Sequence, residues 1–148
     1  MAVFQWQRQI MFRDCDPAGI VFYPRYFEMM NDCVETFFDQ AIGWSFGQMH
    51  INDGLGVPMG QISTRFEAPS RLGDVTHWRM WLTRLGGASV DFAMEALGGD
   101  ASQNETRPER RLRTEGTLVC VDVQAMKSHR WPEAIRTRLA PYLEEGTA

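Results

Sequence analysis

The chain has 148 residues, 44% of them hydrophobic and 23% charged, enough to bury one core and inconsistent with disorder or a coiled coil. Its net charge of −4 gives a field that does not attract nucleic acid or other polyanions. No apolar run approaches the ~20 residues of a membrane-spanning helix, and Met1 to Phe12 carries polar residues throughout, so neither a membrane span nor a signal peptide is expected.

From Val3 to Phe12 the sequence alternates, with Phe4, Trp6, Ile10 and Phe12 on one side and Gln5, Gln7 and Gln9 on the other, which predicts a strand. A loop, Arg13 to Gly19, follows. Apolar residues then fall at Tyr23, Phe27, Met30, Val34, Phe37 and Ala41, a helical spacing over Pro24 to Ile42, with proline at its start and Gly43 as its stop. Glu28, Asp32, Glu35 and Asp39 give this helix a polar side, so it is amphipathic and must pack on something. Gly43 to Pro58 reads as irregular. Gln61 to Ala68 is a strand, Ala68 to Asp74 a turn, and Val75 to Leu85 a second strand. Gly86-Gly87 turns into a third, Ser89 to Leu97, with Val90, Phe92, Met94 and Ala96 on one face. Gly98 to Pro108 reads as an exposed loop, Arg111 to Val123 as the last long strand, and Pro132 to Leu143 as a closing helix.

One strand, a long helix, then strands in series imply a largely antiparallel sheet with the helix on one face, an α+β arrangement. No repeat or second composition regime appears, so residues 1–148 are expected to form one domain. Cys15, Cys33 and Cys120 are odd in number, far apart and lack Cys-x-x-Cys spacing. They point to reduced thiols in the cytoplasm, with neither a disulfide framework nor a zinc site.

Asp14-Cys15-Asp16 admits four readings. A calcium loop counted from Asp14 places Ala18 and Arg25 where acceptors are required, and fails. A Cys15 nucleophile needs a histidine base, and no motif brings His50, His77 or His129 to it. An ordinary turn suits Asp16-Pro17 ahead of a helix. A catalytic carboxylate suits it too: the unpaired N–H groups and positive dipole end of a helix start lie a few residues on, and small Ala18 and Gly19 leave room for a substrate.

The run Arg13-Asp14-Cys15-Asp16-Pro17-Ala18-Gly19-Ile20-Val21-Phe22-Tyr23-Pro24-Arg25-Tyr26-Phe27-Glu28 resembles the signature of the 4-hydroxybenzoyl-CoA thioesterase family. In that family an Asp-x-Asp-x-x-Gly block joins the first strand to the central helix of a hot-dog fold. The resemblance implies a five-stranded antiparallel sheet wrapped around the long helix, with a C-terminal helix. It implies hydrolysis of an acyl-CoA thioester, with Asp16 as nucleophile or general base and the Tyr23 backbone N–H polarising the carbonyl. Gly19 then borders the substrate, and Arg84 and Ser89, flanking the Gly86-Gly87 turn, lie where the family contacts the CoA phosphates. A solvated hairpin tip is the alternative for that pair.

CoA is part of the substrate, so no cofactor or metal is implied, and the partner is a small-molecule acyl-CoA. A homodimer or homotetramer with its active site at the subunit boundary is expected. Aryl-CoA such as hydroxybenzoyl- or benzoyl-CoA is the expected substrate. Short or medium aliphatic acyl-CoA, or binding without turnover, are the alternatives. Arg107, Arg110, Arg111 and Arg113 are interleaved with Glu105, Glu109 and Glu115, and read as a solvated strand edge. Trp78 and Trp81 are expected on opposite faces of one strand, as packing.

Overall fold

The computed structural model describes residues 1–99 and 108–146. Most of the segment expected to form the Gly98–Pro108 loop, Arg107 included, lies outside those residues. The described elements are β1 (Phe4–Gln9), α1 (Tyr23–Thr36), β2 (Leu55–Gly56), β3 (Met59–Phe66), β4 (Val75–Leu85), β5 (Ser89–Gly98), β6 (Glu109–Val119), β7 (Val121–Asp122), β8 (Lys127–Ser128) and α2 (Glu133–Leu139). Five strands form an antiparallel sheet in the order β1-β4-β5-β6-β3, and β2, β7 and β8 form a small second sheet. With α1 packed on one face and α2 closing the chain, this is the hot-dog layout that the sequence implied.

The alternating residues of β5 point inward as expected: Val90, Phe92, Met94 and Ala96 are fully buried. Trp78, Met80 and Leu82 of β4 share that core, and Trp78 packs beside Trp6. Trp81 lies on the opposite face of the strand, buried under the guanidinium groups of Arg79 and Arg113, 5.9 and 5.5 Å from its ring, both in cation–π range. Arg110, Arg111 and Arg113 are each paired with carboxylates, Glu67, Asp74 and Glu95 among them. That pairing argues against a phosphate site, but β6 lies between β5 and β3 and Arg111 is buried, so the cluster is not the solvated strand edge that was expected.

Several expected boundaries shift, and the end of the long helix does not. The first strand stops at Gln9, and Phe12–Asp14 is a 3-10 turn that leaves Phe12 83% exposed. The last strand leaves the main sheet at Cys120, after which Val121–Asp122 pairs with Leu55–Gly56; alternation cannot reveal a change of partner. Helix α1 runs Tyr23–Thr36 and continues as a π-helical stretch, Phe37–Ile42, stopped by Gly43 at φ +72°.

The packed face of that helix agrees with expectation at Met30, Val34 and Phe37 and differs in its first turn. Tyr26, Met29, Met30, Cys33, Val34, Phe37, Phe38 and Ile42 are buried, whereas Tyr23 and Phe27 are exposed. Rows starting at Tyr23 and at Tyr26 both satisfy a 3.6-residue period, so spacing alone could not separate them. The exposed row has a consequence for the edge strand β3. Tyr23, Tyr26 and Phe27 all pack around Phe66, with centroids 6.3, 5.7 and 6.2 Å away, and leave an aromatic patch in solvent beside an unpaired strand edge.

Candidate active site

Between β1 and α1 the backbone makes two tight reversals, and Asp14 joins them. Its buried carboxylate accepts the Arg8 guanidinium at both oxygens and the Met11 N–H at 2.8 Å. Its carbonyl accepts the N–H of Phe22, the residue that caps α1, at 2.9 Å. Burial opposes the Asp14 charge, yet Arg8 and the Met11 N–H together hold the carboxyl below the ordinary carboxylate range. Asp14 is therefore a structural clamp.

Asp16 lies in the second reversal. Its N–H donates to Ile20 O and its carbonyl accepts the Gly19 N–H, both at 2.9 Å, while Cys15 and Val21 pair across the base. Gly19 has φ +79° with open space where a side chain would start, so glycine serves both the left-handed turn and access to the loop. The Asp16 Oδ1 accepts the Ala18 N–H at 2.9 Å, an Asx turn. This turn occupies one carboxylate oxygen and leaves Oδ2 without a donor among the described residues. One side chain can thus form the turn through Oδ1 and still present Oδ2.

The helix start is seven residues on from Asp16 in sequence. Phe22 N–H is used by Asp14, Arg25 N–H donates to Phe22 O at 2.8 Å, and Pro24 has no N–H. Tyr23 N–H, at the first helical position, is left open among the described residues. It lies at the positive end of a 14-residue helix. A groove of about 320 Å³ runs beside it, lined by Ile20, Val21, Tyr23, Tyr26 and Phe66. Asp16, Gly19 and Tyr23 thus share one eight-residue stretch of chain that ends at the first residue of α1. Cys15 adjoins it, but its thiol is pushed up by burial and by Asp14 and Asp16, and Sγ donates to Met11 O at 3.6 Å. His50, His77 and His129 bond elsewhere, to Phe46 O, Gln7 and Arg130 O. The requirements of a thiolate nucleophile are unmet.

Arg84 and Ser89 meet each other but not this locus. The Arg84 Nη2 donates to Ser89 Oγ at 2.8 Å, and the same guanidinium forks onto Asp91 at 2.7 and 3.1 Å. Gln9 pairs with Val75 at one end of β4, whereas Leu85 pairs with Val90 at the other. At 3.3 Å per residue, roughly 30 Å of strand separates Arg84 from the Asp16 loop of the same chain.

At that far end a second cavity opens, about 340 Å³ in volume, between α1 and the strands β2, β3, β6 and β7. Val34, Phe46, Val57, Leu118 and Val121 make it apolar, with Asn31 and His50 as polar walls, and no residue from 13 to 23 lines it. Sequence reasoning missed it because its walls come from five segments, two of them in the stretch read as irregular. Arg8 was also missed, though its signal was legible: it shares strand parity with Phe4, Trp6 and Ile10, and a charge on an apolar face requires a partner.

A family model described as Thioesterase-like superfamily matches residues 10–139. In a curated relative, a 1,4-dihydroxy-2-naphthoyl-CoA hydrolase from Thermosynechococcus vestitus, 69 residues match at 32% identity, covering 47% of each chain. The match thus spans about half the length of that relative. Among solved structures, a 1,4-dihydroxy-2-naphthoyl-CoA thioesterase from Synechocystis superposes with a TM-score of 0.78 at 20% identity, over 94% of this chain and 96% of that one. A Staphylococcus aureus protein solved in complex with CoA gives 0.83 at 15% identity, over 95% and 84%. These two likenesses establish the fold.

Proposed function

We propose that this chain, which belongs to the Thioesterase-like superfamily, hydrolyses an acyl-CoA thioester with Asp16 as the reacting carboxylate. One observation carries the reading: an oxygen of Asp16 left free by its Asx turn and the open Tyr23 N–H stand on the same short segment. Asp16 attacks the thioester carbonyl, or takes a proton from water that attacks it, while the Tyr23 N–H stabilises the oxyanion. The C–S bond breaks, CoA leaves as the thiol, and water supplies the acid's second oxygen. No cofactor enters this chemistry. The free thiols of Cys15, Cys33 and Cys120 suit a reducing cytoplasm.

The site is completed by a second copy of the chain. Antiparallel pairing of two β3 edges about a two-fold axis near Ile62 and Ser63 sets Met59 of one copy beside Phe66 of the other. Met59 borders the apolar cavity and Phe66 the groove beside Tyr23. Asp16 and Tyr23 of one copy would then face the cavity of its neighbour, which takes the acyl group. A cavity with aromatic and aliphatic walls fits an aryl group, in keeping with the naphthoyl ester in the name of the curated relative.

A thiol-release assay over aryl- and alkyl-CoA esters, run on the parent and on Asp16→Asn, tests the reading. The Asx turn favours one rival: Asp16 serves only the turn, in a module that binds acyl-CoA without turnover. In that case neither protein releases thiol.

A further inference from the structure

The apolar cavity holds a histidine whose proton is placed by its surroundings. His50 Nδ1 lies 2.8 Å from the Phe46 carbonyl oxygen, and a carbonyl can only accept, so the neutral ring carries its proton on Nδ1. Nε2 is then left as a lone-pair acceptor. It is turned toward Gly56, where an added Cβ would come within 3.1 Å of it, and both residues line the cavity. Phe46 holds the ring edge-on at 5.5 Å between centroids, so both the tautomer and the direction of the lone pair are fixed. No described residue donates to Nε2.

We propose that His50 is a specificity-determining residue that accepts a hydrogen bond from a hydroxyl on the acyl group of the CoA ester. The inference rests on the thioesterase reading above and adds the chemistry of the acyl group. The absence of a side chain at Gly56 keeps the approach to Nε2 open. His50 is exposed in the chain alone, so water serves Nε2 until an acyl group fills the cavity; a substrate without the hydroxyl then displaces that water and leaves the acceptor unpaired, which is the source of the discrimination. A phenolic ring and an aliphatic hydroxyacyl chain both present this chemistry.

The test is kcat/KM for matched ester pairs: benzoyl-CoA against its three monohydroxy isomers, and butanoyl-CoA against 3-hydroxybutanoyl-CoA. Each pair is run on the parent, His50→Phe, His50→Asn and His50→Gln. The parent is expected to prefer at least one hydroxylated ester by about tenfold. The benzoyl and butanoyl arms tell ring from chain. His50→Phe and His50→Asn, which place no acceptor at the Nε2 position, bring that ratio toward one; His50→Gln, whose amide reaches it, keeps most of the preference. An unchanged ratio in His50→Phe, or a parent that hydrolyses esters with no preference for the hydroxyl, overturns the inference and leaves the thioesterase reading standing. A parent that releases thiol from no ester removes both.

Discussion

Arg8 reaches out of the first strand to grip both carboxylate oxygens of Asp14, while the Asp14 carbonyl takes the N–H of the helix-capping Phe22. Strand, loop and helix start are therefore fastened at one residue, two before Asp16. Removing Arg8 would leave a buried carboxylate uncompensated, so Arg8→Met is expected to cost about 3 kcal/mol in chemical denaturation at neutral pH. The sign with pH follows from the lowered Asp14 pKa. Its contribution is fully present above the unfolded value, about 4, and is lost as pH falls through the folded value. Stability measured from pH 7 to pH 2 should fall through that window in the parent and more gently in Asp14→Asn. Equal stability of Arg8→Met and the parent would contradict the clamp.

Gly19 offers a second check on how the Asp16 loop is held. Its left-handed φ with no neighbour near a Cβ means that a substitution pays in backbone conformation alone. Gly19→Ala should cost about 1 kcal/mol and Gly19→Asn less, because asparagine tolerates this region. If the turn also aims Asp16, turnover falls more in the Ala variant than its loss of stability explains. Thermal denaturation beside steady-state kinetics separates the two effects.

Much of this architecture was legible in the sequence, and what was not has physical reasons. The Ser89 strand, the Gly86-Gly87 hairpin and the helix beginning at Tyr23-Pro24 follow from alternation, turn chemistry and proline placement, and all three are seen. The Asp16 loop stood out because its meaning is local. The packed face of α1 was legible in part: Met30, Val34 and Phe37 are buried as expected, whereas Tyr23 and Phe27 are exposed because two rows fit one period; the strand break at Cys120 was invisible because partner choice is a long-range property. The His50 cavity escaped for the same reason, since no two of its walls are linked by a motif.

Placing Asp16 and the apolar cavity on different copies predicts complementation. A chain carrying Asp16→Asn keeps a usable cavity, and a chain carrying Val57→Trp, which fills the cavity, keeps Asp16. Each alone should be inactive. Mixed and refolded together, they form heterodimers with one intact site, and activity should return to a substantial fraction of the parent's. Phe66→Glu, which puts charge in the proposed interface, should shift the chain toward monomer in sedimentation velocity and abolish turnover. A fully active monomer would exclude the shared site.

Arg84 and Ser89 stand far from Asp16 within one chain but at the sheet end where the apolar cavity opens, so in a shared site they would meet the CoA phosphates from the copy that holds the acyl group, and the fork onto Asp91 must be shared with or yielded to a phosphate. Arg84→Ala is expected to raise KM for a CoA ester several-fold with kcat little changed. The same acyl group on N-acetylcysteamine, which lacks phosphates, should show no such change. Equal effects on both thioesters would assign the pair to the hairpin tip alone.

The central claim is that the free oxygen of Asp16 does chemistry beyond its turn. Asp16→Asn tests this cleanly, because the amide oxygen still accepts the Ala18 N–H and the loop is kept, while the charge is gone. The measurement is single-turnover thiol release from the best ester of the panel by the parent and by Asp16→Asn, with ester binding measured separately on both. The account predicts similar binding and a rate lower by at least 10²-fold in the variant. Asp16→Asn that releases CoA as fast as the parent would contradict it.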